Sequence, residues 1–172
     1  MNHKEIQSAK KIAIIGISGV GKSWLARRLA AQLHLPLVHY DTLCWDAHWT
    51  LVPEEMVAQH LAEAIREERW ILEGYINPLA QERLTAADLI IYLDYAGWRA
   101  AWGGICRWWR HRKQPRPELA HGCEDQWSWE RLWVMWTRDE RREIEGEIAT
   151  HASKVMRLRS RKETSKFFED VS

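Results

Sequence analysis

The 172-residue chain has no C-x-x-C pair, and its three cysteines, Cys44, Cys106 and Cys123, are an odd number. A full disulfide framework is therefore excluded, and a reducing compartment is the simpler reading. No apolar run reaches the ~18 residues of a membrane-spanning helix. The opening MNHKEIQSAKK also lacks the apolar core of a leader peptide. The expectation is a cytoplasmic protein without a membrane partner. No charge excess exists either: the formal net charge is +1, so any attraction for anions has to be local. Internal repeats and low-complexity tracts are absent. Cys106, His111, His121 and Cys123 lack the close ligand pairs of structural zinc. One further absence is local. No acid occurs from Tyr95 to Pro117, a stretch that holds Arg99, Arg107, Arg110, Arg112, Lys113 and Arg116.

What is present is an alternation of strands and helices. KKIAIIG reads as a short apolar strand of the kind buried in a parallel sheet, and LPLVHYD, RWILEG, AADLIIYLDY and KVMRLRS supply four more. Between them, Leu25, Leu29 and Leu33 make one helical stripe. PEEMVAQHLAEAIREE starts with Pro and acids, as a helix should. Further helices are expected over about 98–112, 127–149 and 161–171. The pattern predicts a three-layer α/β/α fold with a five-stranded parallel sheet, as one domain over 1–172. Such a chain is long enough to bury about 70% of its unfolded surface. The polar segment 113–126, with two prolines and a glycine, reads as an excursion between helices.

The first strand runs into Gly16-Ile17-Ser18-Gly19-Val20-Gly21-Lys22-Ser23, the pattern G-x-x-x-x-G-K-[ST]. Its glycines let backbone N–H groups turn inward onto a phosphate, at the start of a helix whose dipole adds positive potential. Lys22 would reach the β/γ-phosphates and Ser23 would offer its hydroxyl to Mg²⁺. Gly16, Ser18, Gly19, Val20, Gly21, Lys22, Ser23 and Trp24 form the expected nucleotide-binding loop. In doubly wound sheets ligands sit beyond the carboxyl ends of the strands, and three acids stand there: Asp41, Glu73 and Asp94. Asp94 follows the most apolar run, but Asp41 and Glu73 rank ahead for orienting metal water or acceptor, with Asp41 also a candidate general base.

Arginines between Arg99 and Arg116 could stabilise charge on a transferring group, or form a solvated helix face. Twelve tryptophans are a marked excess. Trp98, Trp102, Ile105 and Trp109 repeat at helical spacing, as do Trp129, Trp133 and Trp136. Two helices facing each other through indoles is the favoured reading. A base-stacking platform for single-stranded nucleic acid is the alternative.

KIAIIGISGVGKSWLARRLA, HYD, WILEGY and RPELAHGC together resemble the bacterial proteins called DNA topology modulation proteins, P-loop proteins related to adenylate kinase and other nucleoside monophosphate kinases. The resemblance runs from about Lys11 to Phe168. It implies an adenylate-kinase-like sheet with a lid over 113–126. It also implies that Arg107 and Arg110 meet the nucleotide, that Arg138, with Arg141 or Arg142 nearby, clamps the transferring phosphate, and that the loop at Ser160 and Arg161 covers the purine. The chain departs where adenylate kinases carry apolar-Asp-Gly-Phe-Pro-Arg, having Leu72-Glu73-Gly74-Tyr75-Ile76-Asn77 instead. Arg83 is the nearest substitute for the missing arginine. The expected function is an ATP- and Mg²⁺-dependent phosphotransferase, with a small molecule or nucleotide as acceptor. The alternative is a nucleotide-dependent regulator that binds nucleic acid.

Overall fold

A computed structural model describes residues 3–77, 81–112, 119, 122–125 and 127–171. Its centre is β1 (Lys11–Gly16), whose residues Ile12 to Ile15 are wholly shielded from solvent. The apolar run is continuous, without alternation, because both faces of a central parallel strand are covered. Around β1 lie β2 (Leu37–His39), β5 (Trp70–Glu73), β6 (Leu89–Leu93) and β7 (Val155–Leu158), in the order β2-β5-β1-β6-β7. Every neighbouring pair is parallel. Parallel neighbours need crossovers, and helices supply them. In α2 (Lys22–Leu33), Leu25 and Leu29 are fully buried, as the leucine stripe requires. Pro53 stands just before α4 (Glu54–Arg66), with Glu54 and Glu55 in its first turn. The five-stranded parallel sheet flanked by helices is the fold expected from the sequence.

Two elements differ from expectation near the second strand. LPLVHYD contributes only three strand residues, because the chain turns at Tyr40 into the short α3 (Tyr40–Cys44). The Thr42 hydroxyl donates to the His39 carbonyl at 2.7 Å and the buried Tyr40 ring anchors the turn. A two-stranded hairpin then follows, β3 (Trp45–Asp46) with β4 (Thr50–Leu51). Strands of two residues are too short for any periodicity to announce them.

The helix expected over 127–149 is broken. α7 (Trp129–Thr137) ends at Arg138, which takes a left-handed conformation with φ 62° and closes its N–H on the Val134 carbonyl. α8 (Arg141–Ala149) starts afresh. The contact between α7 and α6 (Gly97–His111) also corrects the expected indole interface. A Cβ on Gly97 would lie 1.9 Å from the Trp136 carbonyl oxygen, and one on Gly104 2.7 Å from the Met135 sulfur. The helices meet through glycines at close range, and the indoles of Trp98, Trp102, Trp133 and Trp136 are left exposed.

Candidate functional site

The loop from Gly16 to Ser23 joins β1 to α2 at the carboxyl edge of the sheet. Gly19 and Gly21 have φ of 83° and 96°, the left-handed backbone that favours glycine. Gly19 also lies so close to α6 that its Cβ would stand 2.2 Å from the Ala100 carbonyl, while a Cβ on Gly103 would be 2.0 Å from the Gly19 carbonyl. Helix α6 therefore backs the loop, main chain against main chain. Val20 is buried beneath it. Lys22 donates its ammonium to the carbonyls of Gly16 (2.8 Å) and Ile17 (3.0 Å). Burial lowers its pKa, partly offset by the charges of Glu73, Asp41 and Glu140. An ammonium desolvated among three carboxylates is a preformed seat for an anion that brings a counter-cation. The Trp24 ring turns away, edge-on to Phe168 with centroids 5.8 Å apart, and Arg28 stacks on both rings.

Glu73 ends β5, beside β1. Its Oε1 lies 2.6 Å from His39 Nδ1 at the end of β2. Burial alone would raise the Glu73 pKa, but the His39 hydrogen bond, the Lys22 charge and the Ser23 hydroxyl together hold it below the ordinary carboxylate value. The Ser23–Glu73 pair is an oxygen-only donor set, which suits a hard divalent cation such as Mg²⁺. Asp41 sits in the first turn of α3, half-buried, and its charge reaches Lys22. The charges of these two acids thus meet at one lysine beyond the carboxyl ends of β2, β5 and β1.

Asp94 stands apart. It ends on the β6 side, 8% exposed, where Arg138, Arg141 (3.1 Å) and Arg157 (3.0 Å) converge on its carboxylate. Arg157 continues to Glu145 in a two-toothed pair at 2.6 and 2.5 Å. This cluster ties α8 and β7 to β6. The Nε of Arg138 is nonetheless buried with no hydrogen-bond partner, and that orphaned donor fits an anion. Desolvation, then the neighbouring Arg141, lowers the Arg138 pKa.

The remaining sequence candidates divide. Arg107 reaches the Ser18 hydroxyl (3.4 Å) and pairs with Asp125 (3.3 Å). Arg110 is exposed in the last turn of α6. Arg161 is exposed at the start of α9 (Arg161–Val171), where Ser160 and Glu163 bond reciprocally across the first turn. Arg83 is fully buried, donating to the carbonyls of Gly74 (3.1 Å) and Tyr75 (2.6 Å) and stacked on Tyr40. Burial lowers its pKa to about 10, leaving it charged at neutral pH. Of the excursion over 113–126, residues 119 and 122–125 are described and the rest lies outside the described residues. Its described end meets the hairpin: Cys123 donates to the Asp46 carbonyl (3.3 Å), and Trp49 Nε1 donates to the Glu124 carbonyl (3.1 Å).

Two groups escaped the sequence reading. His39 lies two residues before Asp41, a spacing that hinted at a shared strand face. Glu140 gave no signal, yet its half-buried carboxylate accepts from the Ser18 backbone N–H and faces Lys22.

With this geometry, comparison with solved structures is informative. A shikimate kinase from Acinetobacter baumannii, solved with shikimate, aligns over 97% of this chain and 95% of its own, with a TM-score of 0.61 and 15% identity. A gluconokinase from Sinorhizobium meliloti 1021 aligns over 94% and 89%, with a TM-score of 0.52 and 12% identity. The fold is the P-loop NTPase α/β fold. Among curated sequences, 46 residues (27% of this chain) are 46% identical to a shikimate kinase of Bradyrhizobium diazoefficiens. The match spans 22% of that relative's length. No protein-family model matches the chain. Among the described residues no helix is long and apolar enough to cross a membrane.

Proposed function

We propose that this chain is a phosphotransferase that uses ATP with Mg²⁺ and transfers the γ-phosphoryl group to a small hydroxyl- or phosphate-bearing acceptor. The observation that carries the reading is the convergence at the sheet edge of Lys22 and Ser23, which follow β1, with the charges of Glu73 and Asp41 from the ends of β5 and β2. The likeness in fold to small-molecule kinases supports it, and so does the motif resemblance to the DNA topology modulation proteins, a label that states no chemistry.

In this reading the loop amides and Lys22 hold the β/γ-phosphates. Ser23 and Glu73 would hold Mg²⁺, which when bound would neutralise charge on the phosphate oxygens. His39 keeps Glu73 ionised and fixed in direction. Asp41 accepts the acceptor's hydroxyl proton as that oxygen bonds to the γ-phosphorus. The bond to the β–γ bridging oxygen breaks, and ADP leaves with that electron pair. Arg107, Arg110 and Arg138 stabilise the equatorial charge, and Arg161 would cover the purine. Such chemistry is mostly positioning and electrostatics. Nucleic acid as a partner gains little from the exposed tryptophan groove, since no charged residue is among its described lining.

The test is an ADP-release screen over nucleoside monophosphates, nucleosides and small hydroxy acids and sugars, with Lys22→Ala as control. Acceptor-dependent ADP formation is expected, reduced about 10²–10³-fold in the variant. The fold should survive, because among the described residues the Lys22 ammonium donates to backbone carbonyls of its own loop. Equal turnover in wild type and variant would refute the assignment.

A further inference from the structure

The glycine seam between α6 and α7 has a consequence on the outer face of that pair. Trp98, Trp102, Trp129, Trp133 and Trp136 remain 53%, 59%, 75%, 65% and 59% exposed. They stand in two rows, on α6 and on α7, along a groove of about 560 Å³ that Ala101, Ile105 and Leu132 also line, with no charged residue among its described lining. Burying an aromatic side chain removes about 150–250 Å² from water, so these five exposures leave on the order of 500–800 Å² of apolar surface. A typical monomer's largest apolar patch is about 300–600 Å². A stable protein–protein interface takes about 800 Å² from each partner. The exposed indoles alone come close to that area.

We propose that this groove is a homodimer interface, occupied by the same groove of a second copy. Shape argues for this occupant. A furrow between two indole ridges is self-complementary under a two-fold axis, since a ridge of one copy fills the furrow of the other. Charge sets the arrangement: α6 carries Arg99, Arg107 and Arg110 and no acid, whereas on α7 Glu130 and Arg131 cancel. Placing α6 of one copy over α7 of the other keeps the two basic helices apart. Arg99, stacked on the Trp98 ring at 4.4 Å, falls at the rim. A lipid surface would instead favour a convex apolar wedge, and single-stranded nucleic acid would need cations within the furrow.

The experiment is sedimentation equilibrium of the full chain at increasing concentration, up to about 50 µM, which brackets the weaker affinities known for interfaces of this size. A species of twice the 20.4 kDa chain mass is expected. Trp102→Ser and Trp133→Ser should each weaken association by roughly 30-fold or more, as central tryptophans do. Both variants should keep the far-UV circular dichroism of the wild type and, compared in dilute solution where every chain is monomeric, its ATP affinity, so failure here is distinguishable from failure of the kinase reading. Should either variant lose structure, Trp129→Ser replaces it, because that side chain is the most exposed of the five. A wild type that stays monomeric at about 50 µM, at the weak end of the range for such interfaces, overturns the proposal. So do folded variants that dimerise as well as wild type. A monomeric wild type captured by phosphatidylglycerol vesicles or by single-stranded DNA also overturns it, and assigns the groove to that occupant.

Discussion

His39 Nδ1 and Glu73 Oε1 lie 2.6 Å apart at the carboxyl ends of two adjacent strands, and the Ser23 hydroxyl and the Lys22 charge act on the same carboxylate. A hydrogen bond to a buried charged group is worth about 1.5–3 kcal/mol. His39→Ala should lose a comparable amount of stability in urea titrations at pH 7. Glu73 has a depressed pKa, so its stabilisation is present above the ordinary 4.5 and is lost as pH falls through the lower folded value. Glu73→Gln should flatten that acid limb. An unchanged acid slope in Glu73→Gln would show that the carboxylate is not held as described.

Glu140 presents the opposite case. Burial raises its pKa against the pull of Lys22 and the Ser18 N–H, so the ionised form costs stability once pH rises above 4.5. Glu140→Gln should be more stable than wild type at pH 7, with the gap closing below pH 4.5. The variant should also bind ATP about tenfold tighter, a gain of ~1.4 kcal/mol, because a negative charge leaves the loop. Calorimetric titration decides this, and weaker binding would mean that Glu140 helps to hold the nucleotide.

Asp94 balances three arginines from a nearly sealed position. Asp94→Asn takes the carboxylate from Arg138, while Arg141 and Arg157 keep Glu145 as a second counter-charge. Removing one partner of a buried ion pair costs about 3–5 kcal/mol. Equilibrium unfolding should show a loss of that size. A loss within experimental error would remove the cluster from the framework of the fold.

Gly103 and Gly146 are both helical glycines with opposite surroundings. A methyl at 103 meets the Gly19 carbonyl at 2.0 Å, whereas one at 146 meets nothing within 4 Å. Gly103→Ala should displace the phosphate loop and raise the KM for ATP. Gly146→Ala should leave kinetics alone and add about 0.5–1 kcal/mol of stability. Equal effects from the two changes would contradict the close approach of α6 to the loop.

Much of the fold was legible because its signals are local and repeated. The apolar run Ile12 to Ile15, the leucine spacing after Lys22 and the glycine-rich turn between them all point to one arrangement. The nucleotide end of the site was legible for the same reason. What was not legible depends on contacts distant in sequence. Arg138 belongs to a helix pattern until its left-handed turn separates α7 from α8. The tryptophan spacing shows that indoles share a face but not which way it points, and Gly97 and Gly104 turn that face outward. Glu140 reaches Ser18 across 122 positions of chain, a pairing no window of sequence contains.

Helix α6 carries the phosphate loop on one side through Gly19 and Gly103, and α7 on another through Gly97 and Gly104. Because these contacts are main chain or nearly so, the helix cannot tilt without moving what it touches. An occupant of the outer groove and a nucleotide in the loop are therefore about one helix diameter apart, roughly 10 Å, and act on a common rigid part. Any free energy by which one alters the binding of the other must be returned in equal measure. With the groove paired and the loop loaded as proposed, ATP concentration would become a variable of association, and protein concentration a variable of nucleotide affinity.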